Sequence, residues 1–475
     1  MKKLIAAILS ALFILPLLCC GGKPQDANAP QNAGTAEPAG SGTAEPAGAE
    51  TAEPTGTETA KPQGAPLTYE EVYDPDTDFN NFFGGSPTIR MLETEDAYMF
   101  AGGGNYLCYY DKATGESDVL CGKPECEHDY IAKNKSCSGY VGLRTPCEIC
   151  MYKGQIYFIQ ENNLKLDLYR MNPDTSGREK LFTLGYGDDS DESRRLYFPQ
   201  FMAIHRGKMY GWNSETFVEA GEPMHAWAIT CWDLETGEFS VVHEEKSEGM
   251  PSLFFFGKYI YFANEERTTE LTEDYEEILI DETITVRRYD TETGEIATVI
   301  NKTIGPESLI SRTSICVLAE DKVYLVGADY TAGQSTVYNV AAGEIEAVMT
   351  LETDGTLSLL QNCMACYSRR YDLVQQDPNL PMHIAVWDYD GNKLFDGQVP
   401  LDTVFGLDER VQKNRVGSFG FFSDGEALFM ALDMRLSGEI SDYERETEEF
   451  TCLIRYELVD GELRETLLCV CKWND

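Results

Sequence analysis

The sequence predicts an all-β fold, a β-propeller with seven four-stranded blades. Two local signals predict it: a turn followed by an aromatic strand, and a strand that ends in an aromatic residue before a polar turn with glycine. The second signal recurs seven times, at the spacing of one blade with its loops. Six or eight blades are alternatives, because the repeat near 355–400 has the weakest first hairpin.

The first signal is an Asp or Gly turn residue followed by alternating apolar and aromatic side chains. Such alternation is typical of half-buried strands. Its copies begin at Asp96, Gly154, Gly207, Gly257, Asp321 and Gly425. We expect this signal to form the two inner strands of each blade.

The second signal places a glycine in the turn between two strands, where a left-handed backbone is needed. Its copies begin at Tyr110, Tyr169, Trp232, Tyr289, Tyr338, Trp387 and Tyr456. We expect it to form the two outer strands. One blade cannot cover its own apolar faces, so neighbouring blades must stack and close a ring. Two β-sandwiches in tandem are the alternative architecture.

Residues 1–20 predict an export signal. Two lysines precede an apolar stretch that is shorter than the ~20 residues needed to span a bilayer. The segment Leu17–Gly21 resembles the lipobox of bacterial lipoproteins, which implies that Cys20 is lipidated and that the preceding residues are removed. Two or more acyl chains would anchor the protein stably. Cys19 is the second candidate for the lipid, and an ordinary cleaved signal peptide is the alternative.

Residues 21–66 predict a disordered tether. They contain four copies of an eight-residue Thr-Ala-Glu-Pro or Thr-Ala-Lys-Pro repeat and almost no large apolar side chain. Such a segment cannot bury enough surface to offset the entropy of ordering. As a flexible coil it would reach roughly 40 Å. Residues 67–87 then form a lead-in, and residues 88–475 the propeller.

The charge balance excludes one class of partner. The chain has 80 Asp and Glu against 38 Lys and Arg, a net charge of −42. This excess argues against nucleic acid, because binding a phosphate backbone depends on Lys and Arg. It also argues against a basic patch on anionic lipid. We expect a monomer on the outer face of the cytoplasmic membrane or cell surface, touching the membrane through its lipid anchor only.

An insertion between the first and second blades, residues 121–150, carries clustered metal-ligand residue types. The candidate ligands are Cys121, Cys126, His128 and Cys137, with Cys147 and Cys150 as alternative partners. Three thiolates and an imidazole can complete a closed tetrahedral site for one structural zinc. Disulfides are the usual fate of cysteines in exported chains, and free thiols are the third possibility.

The repeats, together with the Cys-x-Lys-Pro-x-Cys-x-His element at residues 121–128, resemble β-propeller surface lipoproteins of anaerobic Firmicutes. The layout of those proteins is similar to TolB-type propellers. The resemblance covers residues 88–475 and implies an extracytoplasmic, lipid-anchored protein. An anaerobic habitat, implied by the resemblance alone, would favour metal or free thiols over disulfides.

Other cysteines indicate core packing. Cys231, Cys316, Cys452 and Cys469 lie in apolar runs typical of unpaired buried residues. Cys363 and Cys366 form a second Cys-x-x-Cys pair in a strand-like run. Alternation along a strand would put these two side chains on opposite faces.

No linear catalytic motif is present among the five histidines and the glycine-rich segments. Asp74, Asp76 and Asp78 alternate but lack the glycine and glutamate of a calcium loop. We therefore expect a non-catalytic module that binds a protein, peptide or glycan. The alternative is an extracytoplasmic hydrolase or lyase with carboxylates from several blades. Carboxylates converging with Arg or His in the central channel would favour the enzyme.

Overall fold

The computed structural model describes part of the chain. It covers residues 65–472 except for 85–89, 102–105, 124, 127, 129–133, 144–147, 163–164, 187–198, 200, 220–221, 248–250, 272–276, 306–309, 330–331, 354, 369–381, 408–418 and 436–448. The predicted export signal, the lipidated Cys20 and the tether up to residue 64 lie outside the described residues, as does Cys147.

The described strands form seven four-stranded antiparallel sheets, each built from consecutive strands in chain order. The predicted seven-bladed β-propeller is confirmed, and the alternatives of six or eight blades are wrong. Blade 1 contains β1 (Met91–Glu93), β2 (Ala97–Phe100), β3 (Cys108–Asp111) and β4 (Ser117–Val119). Blade 2 contains β5 (Ile149–Tyr152), β6 (Gln155–Asn162), β7 (Lys165–Met171) and β8 (Glu179–Tyr186). Blade 3 contains β9 (Phe201–His205), β10 (Lys208–Glu219), β11 (Glu222–Asp233) and β12 (Phe239–Glu245).

The remaining blades repeat this plan with longer and shorter hairpins. Blade 4 contains β13 (Ser252–Phe256), β14 (Tyr259–Leu271), β15 (Glu277–Asp290) and β16 (Ile296–Ile304). Blade 5 contains β17 (Ile310–Ala319), β18 (Lys322–Asp329), β19 (Gln334–Asn339) and β20 (Glu346–Glu352). Blade 6 contains β21 (Thr356–Leu359), β22 (Met364–Ser368), β23 (His383–Trp387) and β24 (Lys393–Gln398). Blade 7 contains β25 (Phe419–Ser423), β26 (Leu428–Arg435), β27 (Glu449–Val459) and β28 (Glu462–Lys472).

In the part of the chain that the structure describes, three one-turn helices accompany the strands. The lead-in contains α1 (Tyr69–Val72) and α2 (Asn81–Gly84), and α3 (Asp402–Phe405) connects blades 6 and 7. Among the described residues, no helix has the length and apolar character that crossing a membrane requires.

The two sequence signals form different parts of each blade. The first signal forms the first hairpin, and first strands of neighbouring blades contact one another around the centre. The second signal forms the outer hairpin. In blade 3, Asp233 accepts hydrogen bonds from the backbone N–H groups of Glu235 and Thr236, which tightens the turn. Gly237 follows at φ +71°, a conformation that glycine adopts without strain.

Apolar clusters fill the seams between blades. The seam between blades 7 and 1 contains Phe100 and Tyr106 from the first blade and Phe422 and Phe429 from the last, all fully buried. The two blades share no strand, because each is built from its own consecutive segment. A disulfide between Cys108 of β3 and Cys471 of β28 joins them across 363 residues of sequence. The ring is therefore closed by side chains. No pattern in the sequence predicted the pairing of Cys108 with Cys471.

The lead-in crosses one end of the ring. Its Thr68 forms an isolated bridge with Ala319 in blade 5. The Asp76 carbonyl accepts the N–H of Lys153, in the first turn of blade 2. The Phe83 ring packs edge-on against Phe429 of blade 7.

These contacts identify which end the lead-in covers. Its partners in blades 2 to 5 lie in or beside the turns between first and second strands. Because the strands are antiparallel, the loops between second and third strands and the connections between blades lie at the opposite end. That opposite end, called the open end below, carries the insertion between blades 1 and 2.

Candidate functional site

The insertion folds back onto blade 1 at the open end. The chain leaves β4 at Val119 and enters β5 at Ile149. On the way, Leu107 donates its N–H to the carbonyl of Gly139, and Leu120 donates to the carbonyl of Leu107. The segment just before β3 is thereby hydrogen-bonded to both ends of the inserted loop.

The structure brings together the four predicted ligands of the insertion. One ligand atom from each of Cys121, Cys126, His128 and Cys137 lies within 4.8 Å of every other. Cys137 is buried, whereas the other three are half-buried. Two tight turns hold the cluster in place. The N–H of Cys126 donates a hydrogen bond to the carbonyl of Lys123, and the N–H of Cys137 donates one to the carbonyl of Asn134.

Polar side chains support these sulfur atoms. The Asn134 amide donates to the sulfur of Cys126 at 3.5 Å, and the Ser138 hydroxyl donates to the sulfur of Cys121 at the same distance. The backbone N–H of Asn134 is in turn held by the Tyr106 hydroxyl at 2.9 Å. Donors around the sulfur atoms fix ligand orientation in metal sites and stabilise the thiolate form.

The pKa values of Cys121 and Cys137 in the cluster shift in opposite directions. Burial alone would raise the pKa of Cys121, but hydrogen bonds from His128 and Ser138 hold that pKa well below its ordinary value. Burial, followed by the hydrogen bond to Cys121, raises the pKa of Cys137. The Nε2 atom of His128 is buried and has no hydrogen-bond partner among the described residues. A cation would satisfy both this nitrogen and the thiolates.

The arrangement suits a closed structural site. Three sulfurs and one imidazole provide four ligands, which leaves no position for a reacting water. No disulfide links Cys121, Cys126 and Cys137 in the structure. Cys150, an alternative partner, is buried in β5, where its sulfur accepts a hydrogen bond from Arg90 at 3.1 Å. It is not part of the group.

The remaining cysteine predictions are confirmed. Cys231, Cys316, Cys452 and Cys469 are buried, and none of them forms a disulfide. Cys363 and Cys366 pack into two different hydrophobic clusters, as expected for neighbours on opposite faces of a strand.

At the covered end, a carboxylate, an arginine and a histidine lie together beside an inner strand. The Arg206 guanidinium donates to both carboxylate oxygens of Asp78, at 2.7 and 3.2 Å. His205 Nδ1 accepts the N–H of Phe79 at 3.1 Å, and Nε2 lies 2.7 Å from the carbonyl of Gly257. A carbonyl can only accept, so Nε2 carries the proton.

This group is buried and its hydrogen-bonding positions are occupied. Burial lowers the pKa of His205 to about 4, so the imidazole is neutral near pH 7. Asp78 has 1% of its side chain exposed and is neutralised by Arg206. We assign this group to joining the lead-in to blade 3, because neither a free base nor an exposed acid is left in it.

A second carboxylate group lies in the long hairpin of blade 4. Glu282 is fully buried and Glu265 is 5% exposed. Arg267 lies 3.1 Å from Glu265 and 3.4 Å from Glu282. Burial, and then repulsion from Glu265, raise the pKa of Glu282 to about 7. The acidic run Glu265–Glu282 was the only signal for this pair.

The chain is similar to several solved structures at low sequence identity. No protein-family model and no curated protein matches the chain. Similar solved structures include an oligogalacturonate lyase from Vibrio parahaemolyticus, with 13% identity, a TM-score of 0.43 and coverage of 82% of this chain and 93% of that chain. An oligogalacturonate lyase in complex with manganese matches with 11% identity, a TM-score of 0.41 and coverage of 82% and 89%.

The β-propeller domain of the Trilobed protease from Pyrococcus furiosus matches with 11% identity, a TM-score of 0.37 and coverage of 82% of this chain and 94% of that domain. Identities this low and TM-scores below 0.5 carry no argument about the activity of this chain.

Proposed function

We propose that this chain is a lipid-anchored extracytoplasmic β-propeller that binds a protein, peptide or glycan at its open end. A zinc ion held by Cys121, Cys126, His128 and Cys137, called the Cys121–Cys137 group below, organises that end. The protein carries out no catalysis. The single observation that supports the binding face is the lead-in. It covers the opposite end of the ring and buries Phe79 and Phe82 against blades 3 and 4.

The chemistry of the covered end favours binding over catalysis. A catalytic acid or base needs a hydrogen-bonding position that a substrate can reach. His205 is fully buried and both of its ring nitrogens are occupied by backbone groups. The Asp78 carboxylate is committed to Arg206. The group therefore supports a structural role at this end.

The zinc proposal depends on the chemistry of the donor set. Zinc prefers tetrahedral sites of cysteine and histidine, and the group provides three sulfurs and one imidazole. When bound, the ion would cross-link the turn that contains Cys121 and Cys126 to the turn that contains Cys137. The described residues between β4 and β5 belong to no named strand, so such a link would supply much of their order.

The anchor is tested by changing the two adjacent cysteines separately. We expect Cys20→Ser to abolish incorporation of labelled fatty acid and to release the chain from the membrane fraction. Cys19→Ser is the matched control and should keep both properties. A Cys20→Ser chain that remains labelled and membrane-bound would contradict the anchor at this position.

Binding without turnover is tested on the full chain with immobilised glycan and peptide libraries. We expect saturable binding with one ligand per chain, and the bound ligand should be recovered unchanged when its mass is measured. Recovery of cleaved products, absent from a heat-unfolded control, would contradict the binding proposal and support an enzyme.

One observation favours the second candidate, an extracytoplasmic hydrolase or lyase. Glu282, with a pKa raised to about 7, has the protonation behaviour of a general acid, and Glu265 is its paired carboxylate. Because Glu282 is fully buried, a substrate could reach it only after the hairpin of blade 4 opens. If libraries yield cleaved products, Glu282→Gln should abolish cleavage. The exposed neighbour Glu266→Gln is the matched control and should leave cleavage unchanged.

A further inference from the structure

Three sulfur atoms meet at the seam where the last blade closes against the first. The sulfurs of Cys108, Cys469 and Cys471 all lie within 4.8 Å of one another. Cys108 and Cys471 form the disulfide, and Cys469 is a free thiol beside it. Cys469 and Cys471 are two residues apart on β28, so both side chains point to the same face of that strand.

The surroundings of these sulfurs are apolar. Each of the three cysteines has 2% or less of its surface exposed. They belong to the hydrophobic cluster of the seam, together with Val119, Leu453 and Leu468. Among the described residues, no histidine or carboxylate oxygen joins the three sulfurs as a further possible ligand. The group that these residues form therefore offers sulfur ligands alone.

A disulfide uses two of these sulfurs and leaves the third without a role. Copper(I) is the common biological cation that is satisfied by two or three sulfur ligands in an apolar site. Zinc would require a fourth ligand, which the seam lacks. The seam therefore matches copper(I) whenever the disulfide is reduced.

We propose that the seam of Cys108, Cys469 and Cys471 is a redox-dependent site for copper(I). In oxidised protein the Cys108–Cys471 disulfide joins the first and last blades. Reduction by a dithiol transfers two electrons and two protons to the disulfide, converts the dithiol into its own disulfide and leaves three thiols. Copper(I) then displaces the protons of two thiols, takes both sulfurs as ligands and uses Cys469 as the third.

The ion would replace the disulfide as the link between β3 and β28. Blades 1 and 7 share no strand, so a sulfur cross-link is the covalent or coordinate tie available to this seam. The chain would then have a linked seam in oxidising surroundings, and also in reducing surroundings that contain copper(I).

The test is an anaerobic titration of the full chain with copper(I) against a competing chelator. Oxidised protein is compared with protein purified anaerobically in dithiol, and a thiol count establishes each state. We expect the reduced chain to bind one additional copper(I) ion tightly, compared with the oxidised chain. In the reduced state, Cys469→Ser should weaken that additional site about tenfold or more, since a ligand is lost. Cys316→Ser, at a buried free cysteine of blade 5, should have no effect.

Thermal unfolding gives a second readout. Copper(I) should raise the Tm of the reduced wild type toward that of the oxidised chain, and should raise that of reduced Cys469→Ser less. Equal copper(I) binding by oxidised and reduced wild type would overturn the proposal. So would an unchanged additional site in Cys469→Ser. The Cys121–Cys137 group is common to every sample, so failure of the zinc proposal leaves this comparison intact.

Discussion

Asp78 in the lead-in accepts two hydrogen bonds from the guanidinium of Arg206, at the first turn of blade 3. The carboxylate is 1% exposed and the guanidinium is 33% exposed, so the pair lies at the edge of the buried region. The Arg206 N–H also donates to the carbonyl of Thr77. The lead-in is therefore an integral part of the ring, and its loss should cost stability.

Asp78→Ala should lower the free energy of unfolding by about 2 kcal/mol. Removing one partner of a fully buried pair costs about 3 to 5 kcal/mol, and the partial exposure of Arg206 reduces this value. The change is measured by urea denaturation. The matched control is Glu179→Gln, which breaks the more exposed Arg170–Glu179 pair and should cost less than about 0.5 kcal/mol. If the two variants lower the free energy of unfolding equally, the Asp78–Arg206 contact stabilises the fold no more than an exposed ion pair.

His205 should make the protein sensitive to acid. Its pKa is about 4 in the folded chain, below the ordinary value of 6.5, so between these pH values only the unfolded chain takes up the proton. Stability is therefore complete above pH 6.5 and is lost as the pH falls through 4, by about 3 kcal/mol in total. In His205→Gln this dependence should disappear, whereas His225→Gln should retain it. An identical pH profile for wild type and His205→Gln would refute the assignment.

Glu282 should give the stability a pH dependence opposite to that from His205. Its folded pKa is raised from 4.5 to about 7, so the folded chain holds a proton that the unfolded chain has released. The contribution of this group is complete below pH 4.5 and is lost as the pH rises through 7. Glu282→Gln should therefore exceed wild type by about 2 kcal/mol at pH 8.5. Glu266→Gln, at an exposed position of the same hairpin, should match wild type. If Glu282→Gln is less stable than wild type at this pH, the raised pKa of Glu282 is contradicted.

The blades could be predicted from the sequence because their signals are local. An aromatic strand, a glycine turn and a second strand occupy about twenty adjacent residues, and the period of their side chains sets which face is buried. The clustering of the candidate ligands in the insertion was predictable for the same reason, since Cys121, Cys126 and His128 are close neighbours in the chain.

Features that depend on ring closure were not predictable. Cys108 and Cys471 lie 363 residues apart and meet only when the last blade reaches the first. Asp78 was one of three alternating aspartates, and only the position of Arg206 in blade 3 gives its buried carboxylate a cationic partner. Glu282 lies in an acidic run that suggests solvent, but in the long hairpin of blade 4 it is fully buried, with Arg267 placed between it and Glu265.

The zinc site of the insertion is tested most directly by the zinc content of the full chain, which is purified without chelators and measured by elemental mass spectrometry. We predict about one zinc ion per wild-type chain, and none in Cys126→Ser or His128→Gln. Cys363→Ser, at a half-buried cysteine of blade 6, should keep the ion. Zinc-free wild type whose Cys121, Cys126 and Cys137 thiols all react with an alkylating agent would contradict the account, as would zinc retained in Cys126→Ser.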